Sequence, residues 1–271
     1  MHHINASYFN KGEIEDMSIA CITGASSGIG EELAKILAGL GYDLIIVGRR
    51  TEKLKALSAK LTKDYDIRCK CITCDLSEKD SCIRLGNRLA NYDLDILINN
   101  AGFGELGAFY ETEVTNDLKM IDVNVSAVHI LTKAVLPAML KNDFGYIMNV
   151  ASSAGLFPGG PYMPTYYATK SYVTSLTTAI HSELRDAGSN VHICMLCPGP
   201  VDTAFNDVAG VKFALPGISA EYCASYALRQ MFAGKLTIIP TLTMKVTTFL
   251  PRLFPRQLIA YVCGRQQMKK R

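Results

Sequence analysis

Between the apolar run Ile19-Ala20-Cys21-Ile22 and a helical pattern that begins at Glu31 stands Thr23-Gly24-Ala25-Ser26-Ser27-Gly28-Ile29-Gly30. The order is strand, tight glycine turn, helix. Such a turn presents unpaired backbone N–H groups at a helix N-terminus, where the helix dipole also favours negative charge, so it suits a phosphate or pyrophosphate. The three glycines serve the turn, a ligand's approach to the backbone, and close packing of helix on strand. Their spacing is G-x-x-x-G-x-G, not the commoner G-x-G-x-x-G.

The strand–helix alternation that begins here runs on through the chain. Ile29, Leu33, Ile36, Leu37 and Leu40 recur at helical spacing, with Gly39 and Gly41 marking the end of that helix. Leu44-Ile45-Ile46-Val47 follows without polar alternation, the mark of a strand buried on both faces of a parallel sheet. The pattern then predicts a helix through Leu54, Leu57 and Leu61, a strand over 67–74, and a helix opening on the capping-box spacing of Ser77-Glu78-Lys79-Asp80. Further strands are predicted over 94–98, 146–150, 191–196 and 236–239, and helices over 114–140 and 166–185 and from Ser219. Seven strands alternating with helices imply an α/β fold: a Rossmann-like, doubly wound, seven-stranded parallel sheet in a three-layer α/β/α sandwich. Ligands in such sheets bind beyond the carboxyl ends of the strands.

A chain of 271 residues, about half of them apolar, can bury a sizeable core, and residues 17–271 read as a single dinucleotide-binding and catalytic domain. Residues 1–16, polar and without the apolar core of a signal peptide, read as a loose N-terminal extension. No stretch reads as an uninterrupted transmembrane span, and the expected compartment is the cytoplasm. A net charge of +3, spread along the chain, points to no nucleic-acid partner. The C-x-x-C spacings Cys71/Cys74 and Cys194/Cys197 fall in strand-like runs, where free cysteine behaves as a small buried hydrophobe. None of the five histidines has ligand spacing with another ligand type, so no metal is expected.

About twenty residues beyond Gly30, where an acidic residue would hold the ribose 2′-OH of NAD, the chain has Gly48-Arg49-Arg50. Arg49, helped by Arg50 and Ser26, suits the 2′-phosphate of NADP, because a guanidinium engages phosphate oxygens through paired charge-assisted hydrogen bonds. Asp75, followed by Leu76, stands where an adenine amino group would be bound. Asn99-Asn100-Ala101-Gly102 fits a strand end that must satisfy backbone groups close to a cofactor ribose. Tyr166 and Lys170 are one helical turn apart and share a face, and a nearby ammonium lowers a phenol's pKa from about 10. Tyr166 then serves as general acid for carbonyl reduction and general base for the reverse. Tyr167 and Lys170 also face one another, so spacing alone does not choose between the tyrosines.

Taken together, Thr23-Gly24-x-x-x-Gly28-x-Gly30, Asn99-Asn100-Ala101-Gly102, Ser152, Tyr166-x-x-x-Lys170 and Pro198-Gly199-Pro200-Val201-x-Thr203 stand in the order of the short-chain dehydrogenase/reductase family, which the chain resembles over residues 18–240. The resemblance implies a catalytic tetrad of Asn124, Ser152, Tyr166 and Lys170, with Tyr166 preferred to Tyr167. It implies that Ser152 bonds the substrate oxygen, Lys170 holds the nicotinamide ribose, and Asn124 positions a water leading to solvent. Ser152 fits the family's Ser-x-x-Gly through Gly155, whereas counting thirteen residues back from Tyr166 gives Ser153.

By the same resemblance the cofactor is NADP, bound by Gly24, Ser26, Ser27, Gly28, Ile29, Gly30, Arg49, Arg50, Asp75, Leu76, Asn100, Ala101, Gly102, Tyr166, Lys170, Pro198, Gly199, Val201 and Thr203. Residues 202–218 are expected to cover an apolar ketone or secondary alcohol of hydroxysteroid or 3-ketoacyl type, with Phe205, Val208, Val211, Phe213 and Leu215 facing it. A homodimer or homotetramer is implied as well. The tail, about 241–271, is apolar, broken by prolines and basic at its end, which reads as packing on its own subunit or a partner, or as peripheral contact with an anionic membrane. A cofactor-binding sensor or scaffold without catalysis and an NAD-linked dehydrogenase are the rival readings.

Overall fold

A computed structural model describes residues 18–205, 209–210 and 217–268. The N-terminal extension lies outside the described residues, as do Val208, Val211, Phe213 and Leu215 of the expected cover. Strands β1 (Ile19–Thr23), β2 (Asp43–Gly48), β3 (Cys69–Thr73), β4 (Leu94–Asn99), β5 (Gly145–Val150) and β6 (Val191–Leu196) are joined by helices α1 (Gly28–Gly39), α2 (Thr51–Tyr65), α3 (Lys79–Leu89), α4 (Val114–Ile121), α5 (Ala127–Asn142) and α6 (Pro164–Asp186). A two-residue pair, β7 (Val201–Asp202) with β8 (Ile218–Ser219), leads into α7 (Ala220–Phe232) and the edge strand β9 (Thr237–Ile238). Helices α8 (Leu242–Phe249) and α9 (Arg256–Met268) end the described chain.

The main sheet has seven strands in the order β3-β2-β1-β4-β5-β6-β9, every pair parallel. This is the Rossmann-like α/β arrangement the alternating pattern predicts. Runs such as Ile45, Ile46 and Val47 are buried because helices cover both faces. On one face Leu33, Leu37, Leu54, Leu61, Leu228 and Met231 from α1, α2 and α7 pack against Ile22, Ile46 and Ile98. On the other, Leu85, Leu89, Leu131, Val135 and Leu184 from α3, α5 and α6 pack against Val47, Leu97 and Ile147. Each fully buried Leu or Ile contributes about 1.5–3 kcal/mol relative to exposure. The strand order reverses between β1 and β4, so the crevice for a ligand opens there.

Four expectations need correction. The helix after β3 starts at Lys79 rather than on a capping box: Ser77 bonds Asp75 through both its N–H and its hydroxyl, at 3.0 and 2.8 Å, and Glu78 caps the helix without a side-chain bond. The long helix over 114–142 is interrupted by a π turn at Asp122–Ser126. That same helix is long and apolar enough, by length and composition, to cross a membrane. Its apolarity is that of a core helix, since Val128, Leu131, Val135 and Met139 are buried against the sheet. Finally, Asn99 faces the sheet interior, where its amide donates to Thr132 Oγ1 (3.0 Å) and Asn149 Oδ1 (2.9 Å), and Asn149 donates to Thr177 Oγ1 (3.0 Å).

Candidate active site

One continuous cavity of about 690 Å³ runs from the glycine turn, along the carboxyl ends of β1, β4 and β5, to the C-terminal helices. Gly24, at φ +67°, donates its N–H to Val47 O at 2.8 Å. Gly28, at φ +59°, lies so close to Thr203 that a Cβ would stand 3.1 Å from its methyl group. Asn100 ties this turn to β4: its amide donates to Thr23 O at 2.9 Å and Gly24 O at 3.3 Å, while its N–H and that of Ala101 both reach Thr23 Oγ1 at 3.0 Å. The Asn100 side chain therefore shapes the phosphate loop. Ser27 caps α1 without a side-chain bond to the first turn, which leaves that turn's N–H groups for an anion.

Arg50 supplies the organised charge here. Its guanidinium donates to Ser26 Oγ at 2.9 and 3.1 Å and to Ser27 Oγ at 2.6 Å. Arg49, the residue the sequence puts first, lines the same cavity without such bonds and faces Asp75. Burial pushes the Asp75 carboxyl up, but the Ser77 hydrogen bonds and the charges of Arg49 and Lys119 outweigh it and hold the group below its usual range. Leu76 is buried beside it. An exposed basic pair, two serines and a bare helix N-terminus fit the phosphates of a dinucleotide, and Gly102, Val201 and Thr203 continue the same wall toward the catalytic end.

At that end Ser152, extended just beyond β5, accepts the Ala154 N–H at 3.1 Å, and its hydroxyl lies near enough to the Tyr166 phenol to favour the ionised form. Ser153 is turned to the chain after β6, donating its N–H to Pro198 O at 2.8 Å. Burial pushes the Tyr166 phenol up to about 12, with the Ser152 hydroxyl opposing it. Lys170, 4% exposed, donates from Nζ to Val150 O at 2.8 Å, and its Nζ stands 5.9 Å from the centre of the Tyr166 ring. Burial lowers this lysine to about 8. The expected net lowering of the Tyr166 pKa is overtaken by burial: in the protein alone desolvation is the largest influence on both groups and favours their neutral forms.

Asn124 lies in the π turn, which turns its side chain inward; such turns recur at functional sites. It donates to Phe103 O (2.9 Å) and Thr169 Oγ1 (3.1 Å) and accepts the Phe103 N–H (3.1 Å). A Cβ on Gly102 would stand 3.0 Å from Asn124 Oδ1 and 3.2 Å from Lys170 Nζ, so a larger residue there would press on both side chains where they meet the strand end. The fold therefore brings Ser152, Tyr166 and Lys170 to one end of the cavity, and Gly24, Ser26, Ser27, Gly28, Arg49 and Arg50 to the other; Asn124 is buried outside the lining, beside Gly102. Ile29, Asp75, Leu76, Asn100, Ala101, Gly102, Pro198, Gly199, Val201 and Thr203 line the stretch between them, while Gly30 is buried in the first turn of α1. Phe157, Met163 and Phe205 add apolar wall beside Tyr166.

Met244, Thr247, Gln266 and Gln267 close the far wall, and the sequence reading assigned none of them. Gln267, 3% exposed, donates to the Tyr167 hydroxyl at 2.7 Å, which fixes Tyr167 to α9 and away from Ser152. The only advance signal was the helical spacing of Ile259, Cys263 and Gln267, the buried face of α9.

The family model for short chain dehydrogenases matches residues 18–211. The chain belongs to that family. A very-long-chain 3-oxoacyl-CoA reductase of Anas platyrhynchos is 32% identical over 203 residues, 73% of this chain. The match spans 64% of that relative's length. Two solved structures are similar throughout the fold. One is a short-chain dehydrogenase from Sphingobium yanoikuyae in complex with NADPH, 30% identical, with a TM-score of 0.79 over 83% of this chain and 89% of that one. The other, a short chain dehydrogenase/reductase from Burkholderia phymatum in complex with NAD, is 26% identical, with a TM-score of 0.78 over 88% and 94% of the two chains. The family is one of oxidoreductases that use a nicotinamide cofactor.

Proposed function

We propose that this oxidoreductase reduces an apolar ketone of the 3-oxoacyl thioester type with NADPH. The observation that carries the reading is a single cavity with Ser152, Tyr166 and Lys170 at one end and Arg50, bonded to Ser26 and Ser27, at the other. The preference for NADP rests on Arg49 and Arg50 at a position where NAD would call for a carboxylate. The apolar substrate rests on Phe157, Met163, Phe205 and Met244 in the wall, and the thioester on the likeness to a 3-oxoacyl-CoA reductase.

The chain's own residues divide the work. Ser152 and Tyr166 together offer the carbonyl oxygen two hydrogen-bonding hydroxyls. The bound nicotinamide supplies the hydride. Tyr166, a phenol held protonated at neutral pH by its burial, gives its proton to that oxygen. Lys170, anchored on Val150 O, is the nearby cation that steadies the phenolate left behind. Asn124 fixes the Phe103 backbone beside Lys170 and would position a water that links Lys170 to solvent. Phe205, with its ring centre 5.7 Å from that of Tyr166, keeps water from the reacting atoms.

The test is NADPH consumption by the full chain across 3-oxoacyl thioesters, steroid ketones, sugars and small aldehydes. The thioesters should be turned over fastest. No consumption with any carbonyl would leave the sensor or scaffold reading standing.

A further inference from the structure

Charge along the chain divides abruptly. The fifty residues after Glu221 contain nine Lys and Arg and no Asp or Glu, whereas the 221 before them hold nineteen basic and twenty-five acidic side chains. This basic stretch ends in α8, a short 3-10 turn at Leu250–Leu253, and α9. All three elements turn apolar side chains outward. On α8 these are Leu242, Val246 and Phe249, spaced to share a helix face; on α9 they are Leu258, Tyr261 and Val262; between them Leu250, Leu253 and Phe254 stand exposed. Leu242 is 76% exposed and Leu253 69%, an outer surface a soluble monomer seldom keeps.

The unit is nonetheless firmly seated. Thr248, Ile259, Cys263 and Gln267 are buried, Met244 rests on Gly199, Gly264 on Pro161, and Gln267 on Tyr167. The outer face is thus a stable presentation of aliphatic groups among Lys245, Arg256 and Arg265, all exposed. Arg265 donates to the Tyr261 hydroxyl at 2.7 Å and lies 5.3 Å above its ring, a pairing with an apolar body and a charged, wettable tip. Aliphatic and aromatic side chains set among cations, with no anion on the stretch, complement a negatively charged lipid surface. Met244 and Thr247 of α8 and Gln266 and Gln267 of α9 are at the same time the far wall of the catalytic cavity.

We propose that α8, the turn after it and α9 dock the protein on an anionic lipid bilayer, and that an apolar substrate passes from the bilayer into the cavity between these helices. The second half rests on the apolar-ketone reading; the docking does not.

The experiment is sedimentation of the full chain with vesicles of phosphatidylcholine and phosphatidylserine, against vesicles of phosphatidylcholine alone, without substrate. Wild type should sediment with the mixed vesicles, be released by added salt, and stay in solution with phosphatidylcholine alone. The double variant Leu253→Glu/Phe254→Glu should lose binding while keeping the wild-type midpoint of urea unfolding, which shows that it folds. Arg256→Glu/Arg265→Glu should weaken binding by on the order of tenfold or more. The proposal falls if wild type ignores the mixed vesicles, if it binds phosphatidylcholine alone equally well, or if either variant binds as wild type does. It falls equally if gel filtration shows an oligomer that Leu253→Glu/Phe254→Glu dissociates, because the face then belongs to a second copy of the chain. Because binding is read without turnover, its failure leaves the reductase reading untouched, and an inactive protein that binds vesicles would leave the docking untouched.

Discussion

At the phosphate end of the cavity Arg50 is exposed, makes three hydrogen bonds to two serines, and has its charge in contact with solvent. At the catalytic end Lys170 is almost fully enclosed, holds one backbone carbonyl, and is lowered to about 8, while Tyr166 beside it is raised to about 12. Two cations at opposite ends of one cavity thus behave differently: outside, geometry sets what the cation does, and inside, the removal of water does. A cation at the exposed end selects a ligand through the bonds it can make. At the buried end it is poised near neutrality, so proton position becomes sensitive to whatever else enters the cavity.

The largest effect should come from the buried end. Tyr166→Phe is expected to cut turnover by about 10²–10⁴-fold while NADPH still binds with unchanged affinity, read by steady-state kinetics and cofactor titration. If cofactor affinity collapses as well, the two ends are not separable. Lys170 gives a pH signature. Its folded pKa lies below the ordinary 10.5, so between about pH 8 and 10.5 the unfolded chain binds more protons and wild-type stability rises with pH. Below pH 8 the enclosed charge costs about 3 kcal/mol. The stability of Lys170→Met relative to wild type, measured by urea unfolding, should therefore be most favourable at pH 7 and decline toward pH 10; a flat difference would contradict burial as the cause.

The exposed end should respond more mildly. Arg50→Ala is expected to lower the preference for NADPH over NADH by about tenfold, since a hydrogen bond to a charged group contributes about 1.5–3 kcal/mol and exposure reduces it. Arg49→Ala should do less. If Arg49→Ala has the greater effect, the bonds of Arg50 to the serines are structural and the original ranking of the two arginines stands. The smallest change is expected from Tyr167→Phe, which removes a hydroxyl bonded to Gln267 and not to Ser152. Its turnover should stay within a few-fold of wild type, and the Gln267 amide, deprived of its acceptor, should lower stability by about 1–3 kcal/mol.

What the sequence disclosed is what local chemistry encodes. The glycine turn announces itself through spacing, the strands through unbroken apolar runs, and the shared face of Tyr166 and Lys170 through one turn of helix. The rest depends on what packs around a residue. Nothing in Arg49-Arg50 says which guanidinium reaches Ser26, because that is set by how β2 ends beside the turn. Nothing near Ser77 reveals that Asp75 will take its hydroxyl and displace the cap. The opposed shifts of Tyr166 and Lys170 come from the walls of the cavity, built from β5, α6 and the chain after β6. The π turn that presents Asn124 lies in an ordinary apolar helical pattern, and the tail reads equally as a core segment or a surface until α9 is seen to bury Ile259, Cys263 and Gln267.

The measurement that joins the two ends is the ratio of kcat/KM for NADPH to that for NADH, taken on the wild-type full chain reducing a 3-oxoacyl thioester. A carbonyl reduction at least about tenfold more efficient with NADPH is the predicted result. Equal efficiency with the two cofactors, or no reduction of the thioester with either, would contradict it.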